Sequence, residues 1–78
     1  MTFLVRPGAP LHRAQLQARA LDAWRDAELV VRLQWDTFLV ADRASRRDAF
    51  AAYLAALDAE AAAAGDLADA HSDLAEAA

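Results

Sequence analysis

The sequence predicts an all-α protein, an antiparallel helical hairpin that completes a helical bundle by self-association. Alanine supplies 23 of the 78 residues, against only two glycines and two prolines, and this composition favours helix almost throughout the chain. Apolar residues recur at helical spacing on both sides of one polar break at residues 42–45. The segment 29–40, LVVRLQWDTFLV, carries large apolar residues on two opposite sides and therefore needs cover on both.

Residues 1–9 form a predicted N-terminal arm. Its apolar start, MTFLV, is followed by a breaker segment, and we expect Phe3 and Leu4 to fold against a helix or the arm to add as an edge strand. The start lacks the basic residues of a signal peptide, and no apolar run is long enough to span a membrane. Because the chain has no cysteine, a reducing, cytoplasmic location is expected.

The first helix is predicted over residues 10–42, because Pro10 suits a first helical turn and the apolar stripe then runs on without a break. The alternative for residues 29–35 is a β-strand, in which every second residue is apolar. Opposite charges four residues apart favour the helix. These pairs are Glu28 with Arg32, Arg32 with Asp36, and Asp42 with Arg46.

The second helix is predicted over residues 46–77. Ser45 with Asp48 three residues later resembles a capping box, with aspartate in place of the usual glutamate or glutamine. An apolar stripe centred on Phe50 is predicted to face the first helix. Gly65 leaves two alternatives open, a continuous helix or one bent or broken there, since a glycine in mid-helix costs about 1 kcal/mol relative to alanine.

A short link between two long helices predicts antiparallel packing. With the turn near Ala44, Phe38 is expected opposite Phe50, and Trp35 opposite Tyr53. Trp24 is expected opposite the alanine run 61–64, so that a large side chain meets small ones. The predicted hairpin core comprises Leu21, Trp24, Val31, Trp35, Phe38, Phe50, Leu54 and Leu57.

Charge is divided unequally along the chain. Residues 1–47 hold all eight arginines and five acids, whereas residues 48–78 hold seven acids and no base. One interpretation is that a basic flank of the first helix pairs with an acidic flank of the second, and the other is an acidic tail that binds a basic partner. The basic flank comprises Arg25, Arg32 and Arg43, and the acidic flank comprises Asp58, Asp69, Asp73 and Glu76.

A second apolar face on the first helix is the predicted partner or oligomer interface. It comprises Leu29, Val30, Leu33 and Val40, and it lies roughly opposite the stripe that faces the second helix. The simplest cover for this face is another copy of the chain. Two hairpins then form a four-helix bundle, with a dimer as the first expectation.

The sequence contains no recognisable catalytic, cofactor-binding or metal-binding motif. His12 and His71 lack the glutamates of a di-metal bundle, and no serine lies in a glycine elbow or a phosphate loop. The acids of the second helix lack the alternating ligands of a calcium loop. Three arginines near the break make only a thin basic patch in a protein of pI about 4.8, which disfavours nucleic acid.

These features predict a small non-catalytic protein, structural or interacting with other proteins, that acts through an apolar helix face and by self-association. The alternative is a phage- or plasmid-type regulator, either an inhibitor or an antitoxin-like protein. In that case the acidic C-terminal half binds a basic protein partner. Neither function requires a cofactor or a membrane.

Overall fold

The computed structural model describes residues 8–77, with side chains for residues 11–72. Helix α1 spans Gly8–Val40, helix α2 spans Arg46–Ala77, and the two run antiparallel across a five-residue turn. The predicted all-α hairpin is therefore confirmed. Residues 29–35 are helical, so the strand alternative is wrong, and α2 continues without a break through Gly65. The predicted contacts of Phe3 and Leu4 lie outside the described residues.

Both ends of α1 differ from the sequence prediction by two residues. The helix begins at Gly8 rather than Pro10, which leaves the proline inside the first turn, where its missing N–H costs no hydrogen bond. It ends at Val40 rather than Asp42. The backbone N–H of Ala41 donates to the carbonyl of Phe38, three residues earlier, at 3.2 Å. A bond over three residues instead of four is typical of a helix end, so α1 ends before Asp42.

Side chains rather than glycine hold the turn. One carboxylate oxygen of Asp42 accepts both the backbone N–H of Ser45, at 2.9 Å, and its hydroxyl, at 2.7 Å. The guanidinium of Arg46 donates to the carbonyl of Ala41 at 3.2 Å, which places a cation at the negative end of the α1 dipole. The turn is therefore tied to both helices that it joins.

Ser45 starts α2, but not through the predicted capping box. Its carbonyl accepts the backbone N–H of Ala49 at 2.9 Å, the bond expected of a residue at the helix start. Its hydroxyl, however, donates to Asp42 in the turn rather than bonding to the backbone at Asp48. The carboxylate of Asp42 outcompetes that backbone group because it is a charged acceptor three residues away in the same turn.

The two helices meet along stripes that repeat every seven residues. On α1 the partly buried residues include Trp24, Val31 and Phe38. On α2 the most buried residues are the alanines Ala49 and Ala56, at 8% and 6% exposure. Alanine at these positions adds little side-chain volume between the helices, which lets them approach closely.

The predicted stripe on α2 is displaced by one position. Phe50 and Leu54, which were expected in the hairpin core, are 43% and 44% exposed, and Ala49 takes the central place instead. On α1, Trp35 is 41% exposed, although its ring contacts Tyr53 across the two helices as predicted. Alanine has no side chain beyond Cβ to separate the helices, so the alanine stripe permits a closer approach than the Phe50 stripe would.

The remaining predicted core residues are less exposed than Phe50 and Leu54. Leu21, Trp24, Val31, Phe38 and Leu57 are all partly buried. The molecule measures 65 × 22 × 13 Å, so it is one helix thick. A domain normally encloses its core between two layers, and a single layer of two helices leaves large side chains at its edges in contact with water.

Replacing Gly65 with alanine should stabilise the protein. Gly65 lies inside α2, and a Cβ built at this residue has no atom within 4 Å, so alanine fits without strain. We expect a gain of about 0.4–1 kcal/mol, or a Tm increase of roughly 2–8 °C. Circular dichroism melts would measure it, with Ala62→Gly as the matched control that should lose a similar amount. An unchanged or lower Tm in Gly65→Ala would contradict an unstrained helical glycine.

The charge of Asp42 in the turn should make the stability of the protein depend on pH. The hydroxyl and backbone N–H of Ser45 hold the pKa of Asp42 below its usual 3.8. A depressed pKa stabilises the folded state above the unfolded pKa, and this contribution is lost as pH falls through the folded pKa. Asp42→Asn should therefore melt below wild type at neutral pH, and the two Tm values should converge below about pH 3.8.

Asp26→Asn, a change at an exposed aspartate in the middle of α1, is the matched control for this experiment. A Tm difference between wild type and Asp42→Asn that stays constant from pH 7 to pH 2 would contradict the proposed role of the Asp42 charge.

Candidate interaction surfaces

The outer face of α1 comprises the four residues predicted as the partner or oligomer interface. Leu29, Val30, Leu33 and Val40 are all exposed, and Val40 reaches 83%. They lie on the side of α1 away from α2, because the intervening positions Val31 and Phe38 occupy the contact stripe. The hairpin itself leaves this face uncovered.

A cluster of four aromatic rings lies near the turn, on one broad face of the hairpin. Trp35 of α1 contacts Tyr53 of α2, with ring centroids 5.0 Å apart, and Phe38 contacts Phe50 at 5.4 Å. Both pairings were predicted from the sequence and are confirmed. Trp35 also contacts Phe38 at 5.5 Å, and all four rings are tilted against each other, an arrangement that aromatic quadrupoles favour.

An apolar groove of about 760 Å³ occupies the other end of the same face. Trp24 of α1 and Leu67 of α2 line it together with the small residues Ala64 and Ala68. Trp24 thus lies beside the alanine-rich part of α2, as the size argument predicted. The groove opens because alanines leave space that the neighbouring tryptophan only partly fills.

One hydrogen bond crosses between the helices at the open end of the hairpin. The side-chain amide N–H of Gln17 donates to Nδ1 of His71 at 2.6 Å, which requires the histidine tautomer with its proton on Nε2. In the sequence, His71 lacks the companions of a metal site, and its spacing does not predict this contact. Among the described residues, no three acidic or histidine side chains come together as a metal site would require.

Among the described side chains, charge does not join the two helices in the way the sequence suggested. In the described part of the chain, the one ion pair links Glu28 to Arg32 within α1, at 3.6 Å, as predicted from their spacing. Neither Arg25 nor Arg32 pairs with an acid of α2 among side chains 11–72. The antiparallel orientation therefore rests on apolar packing and the turn rather than on salt bridges. Asp73 and Glu76 lie beyond the described side chains.

The exposed stripe of α2 is the surface that sequence reasoning missed. Phe50, Leu54 and Leu57 were all assigned to the hairpin core, yet two of the three are exposed. A signal was present in the sequence, because alanine recurs every seven residues from Ala49 to Ala70 and offers a second stripe beside the bulkier one. The rotation of α2 about its own axis determines which of these two stripes packs against α1.

Comparison of the chain with protein-family models, with curated proteins and with solved structures gives no match. Within residues 8–77, neither helix combines the length and the apolar character that crossing a membrane requires.

The two tryptophans and an outer-face leucine should respond differently to truncation. Trp35 is partly exposed but packs on Phe38 and Tyr53, so Trp35→Ala should lose about 1–3 kcal/mol, less than the 3–5 typical of a fully buried ring. Trp24→Ala should lose at least as much, because Trp24 is the more buried.

Leu33→Ala, on the uncovered face of α1, is the matched control and should change stability by less than about 0.5 kcal/mol. Urea denaturation of dilute protein measures all three variants. Equal losses for Trp35→Ala and Leu33→Ala would contradict the aromatic cluster as a stabilising element.

Proposed function

We propose that this protein is a non-catalytic structural or protein-interaction protein that acts through exposed apolar helix faces and by self-association. The observation that carries the proposal is the single-layer hairpin. Only Ala49 and Ala56 are buried among the described side chains, while ten large apolar residues are exposed. A soluble monomer rarely leaves so much apolar surface in water, and such surface usually marks a docking site.

The energetics of the isolated hairpin support the same proposal. A chain of 78 residues is near the size at which a single core gives only a few kcal/mol of stability. Each large side chain that moves from water into an interface adds roughly 1.5–3 kcal/mol when fully buried. Covering a few of the exposed residues would therefore contribute as much as the hairpin's own core.

The catalytic alternative has no support in the side chains that would perform it. The polar side chains with described contacts serve the turn, the ion pair within α1, the bond across the open end and a bond from Thr37 to the carbonyl of Leu33 in the same helix. The groove is lined mainly by apolar residues and carries no convergent pair of acid and base. An apolar groove of this kind suits a side chain from another helix better than a polar substrate.

Self-association predicts a mass above that of one chain. At micromolar concentration, sedimentation equilibrium should return a mass above 8.4 kDa, with a dimer as the first expectation. The thermal midpoint should rise with protein concentration, since association stabilises the folded state by mass action. A mass of 8.4 kDa at all concentrations up to the millimolar range, with a constant Tm, would contradict self-association.

A second candidate function is that of a regulator, inhibitor or antitoxin-like, that binds a basic protein through its acidic half. The observation that favours it is that Asp58, Asp66 and Asp69 of α2 are exposed and form no ion pair with the arginines of α1 among the described side chains. An acidic surface that nothing neutralises within the hairpin can attract a cationic partner over roughly 10 Å at moderate salt.

Neutralising this acidic surface separates the two candidates. The variant Asp58→Asn/Asp66→Asn/Asp69→Asn should keep or slightly raise the Tm, because it removes repulsion between like charges. If the protein is a regulator, wild type should bind a polyarginine peptide in a salt-sensitive way, and this variant should lose that binding. A lower Tm would mean that the acids already pair within the hairpin, and binding by wild type and variant alike would remove the acidic surface from the proposal.

A further inference from the structure

An apolar stripe runs along α2 for about five turns on the broad face of the hairpin. Its residues alternate four and three positions apart, the spacing of a helix seam. All but Leu57, which is partly buried, are exposed in the hairpin. The stripe comprises Phe50, Leu54, Leu57, Ala61, Ala64 and Ala68.

The size of these side chains changes abruptly at the middle of the stripe. The half near the turn consists of large residues and the half near the open end consists of alanines. If two such stripes pack antiparallel about a point near Ala59, each large residue of one lies opposite an alanine of the other. A parallel pairing would instead oppose large to large at one end and leave a void at the other, and both are costly.

We propose that a second copy of this chain covers the α2 stripe in an antiparallel arrangement, so that two hairpins form a four-helix bundle with their turns at opposite ends. The inference rests on the self-association proposed above and assigns it to α2. The outer face of α1, which the sequence pointed to, is then left free for another partner. In this bundle Phe50 faces Ala68 of the second copy, Leu54 faces Ala64, and Leu57 faces Ala61.

The groove at the open end is shaped to receive the residues that this pairing brings to it. Ala64 and Ala68 line the groove, between Trp24 on one helix and Leu67 on the other. The antiparallel pairing places Leu54 and Phe50 of the second copy over these two alanines. The exposed side chains near the turn of each copy therefore fill the groove at the open end of the other copy, and symmetry makes this contact occur twice.

The broad face is large enough for a stable interface. It runs along two paired helices of 33 and 32 residues, about 50 Å long and roughly 20 Å wide, whereas a standard interface buries about 800 Å² per partner. Each helix of the resulting bundle has two antiparallel neighbours, one from its own hairpin and one from the second copy. The bundle also adds the second layer that the single hairpin lacks.

Charges near the centre of this face are balanced. Glu28 and Glu60 lie at the same level of the hairpin, close to the proposed symmetry axis, and Arg25 and Arg32 lie within one turn of that level. Two copies therefore bring four acids and four bases to the middle of the interface. The α1 edge, where most of these residues lie, is a polar rim beside the apolar seam of α2.

Exchanging the large and the small residue of one predicted pair tests the packing of the α2 stripe, called the α2 seam below. Leu54→Ala alone leaves a cavity, and Ala64→Leu alone puts two leucines opposite each other, so each should weaken the dimer roughly ten- to a hundredfold in Kd. The double variant Leu54→Ala/Ala64→Leu restores a large residue opposite a small one and should recover most of the wild-type Kd. Sedimentation equilibrium over a concentration series measures all four proteins.

Two control variants carry changes away from the α2 stripe. Ala62→Leu places the same added volume on α2 away from the broad face and should leave the Kd within a few fold of wild type. Leu33→Asp, on the outer face of α1, should also leave the Kd unchanged. Circular dichroism of each variant confirms that the helices are still formed.

The antiparallel orientation has a separate distance test. Ala44 is an exposed turn residue in a chain without cysteine, so a single spin label at Ala44→Cys is unambiguous. The turn lies about 15 helical residues from the proposed axis, so the two labels should be about 45 Å apart. Labels within about 25 Å of each other would indicate turns at the same end and overturn the arrangement.

The outcomes also separate this inference from the proposed function. A dimer whose Kd ignores the exchange at positions 54 and 64 but is abolished by Leu33→Asp would place the interface on α1 and overturn the α2 seam alone. A chain that stays at 8.4 kDa at every concentration would overturn self-association itself. Weakening by both single variants with recovery in the double variant supports the seam.

Discussion

The close approach of α2 to the large side chains of α1 is the interaction on which the rest of this structure depends. Alanine recurs at every seventh position of α2 from Ala49 to Ala70, and Ala49 and Ala56 are the two buried residues among the described side chains. Because alanine at these positions adds little volume between the helices, the two backbones can approach closely. Phe50 and Leu54 are displaced onto one broad face, and the hairpin becomes flat, with an aromatic cluster at one end and a groove at the other.

Polar interactions in this molecule set geometry more than they set stability. The hydrogen bonds of Asp42 and Arg46 close one end of the hairpin, and the contact between Gln17 and His71 joins the other. Between these two points the helices are aligned by apolar contacts alone among the described side chains. The ion pair of Glu28 and Arg32 stays within one helix and is too exposed to contribute more than a fraction of a kcal/mol.

The same flatness supports the proposed interaction function more than it supports a catalytic one. A reaction site needs side chains held by packing on several sides, and a single layer offers support on one side only. An apolar face needs no such precision, because burial is non-directional and shape can adjust through side-chain rotamers. What the hairpin offers is surface area of two kinds, the outer face of α1 and the stripe of α2.

Several features of the structure follow from the sequence alone. Composition and the polar break at residues 42–45 determine that residues 8–77 form two helices, because no second polar break interrupts the helical spacing there. The link length determines their antiparallel order, and that order aligns Trp35 with Tyr53 and Phe38 with Phe50. The number of helices, their order and the pairing of residues across them depend only on the positions of residues along the chain, and the sequence gives these positions.

Only the tertiary structure decided how each helix is rotated about its axis. Two stripes on α2 are compatible with the apolar spacing, one of alanines and one that contains Phe50, and they lie about 100° apart. The choice depends on how closely the two backbones can approach, a property of both helices together that no single segment encodes. That rotation moved Phe50 and Leu54 from the expected core to the surface, and it left the outer face of α1 exposed, as its spacing had predicted.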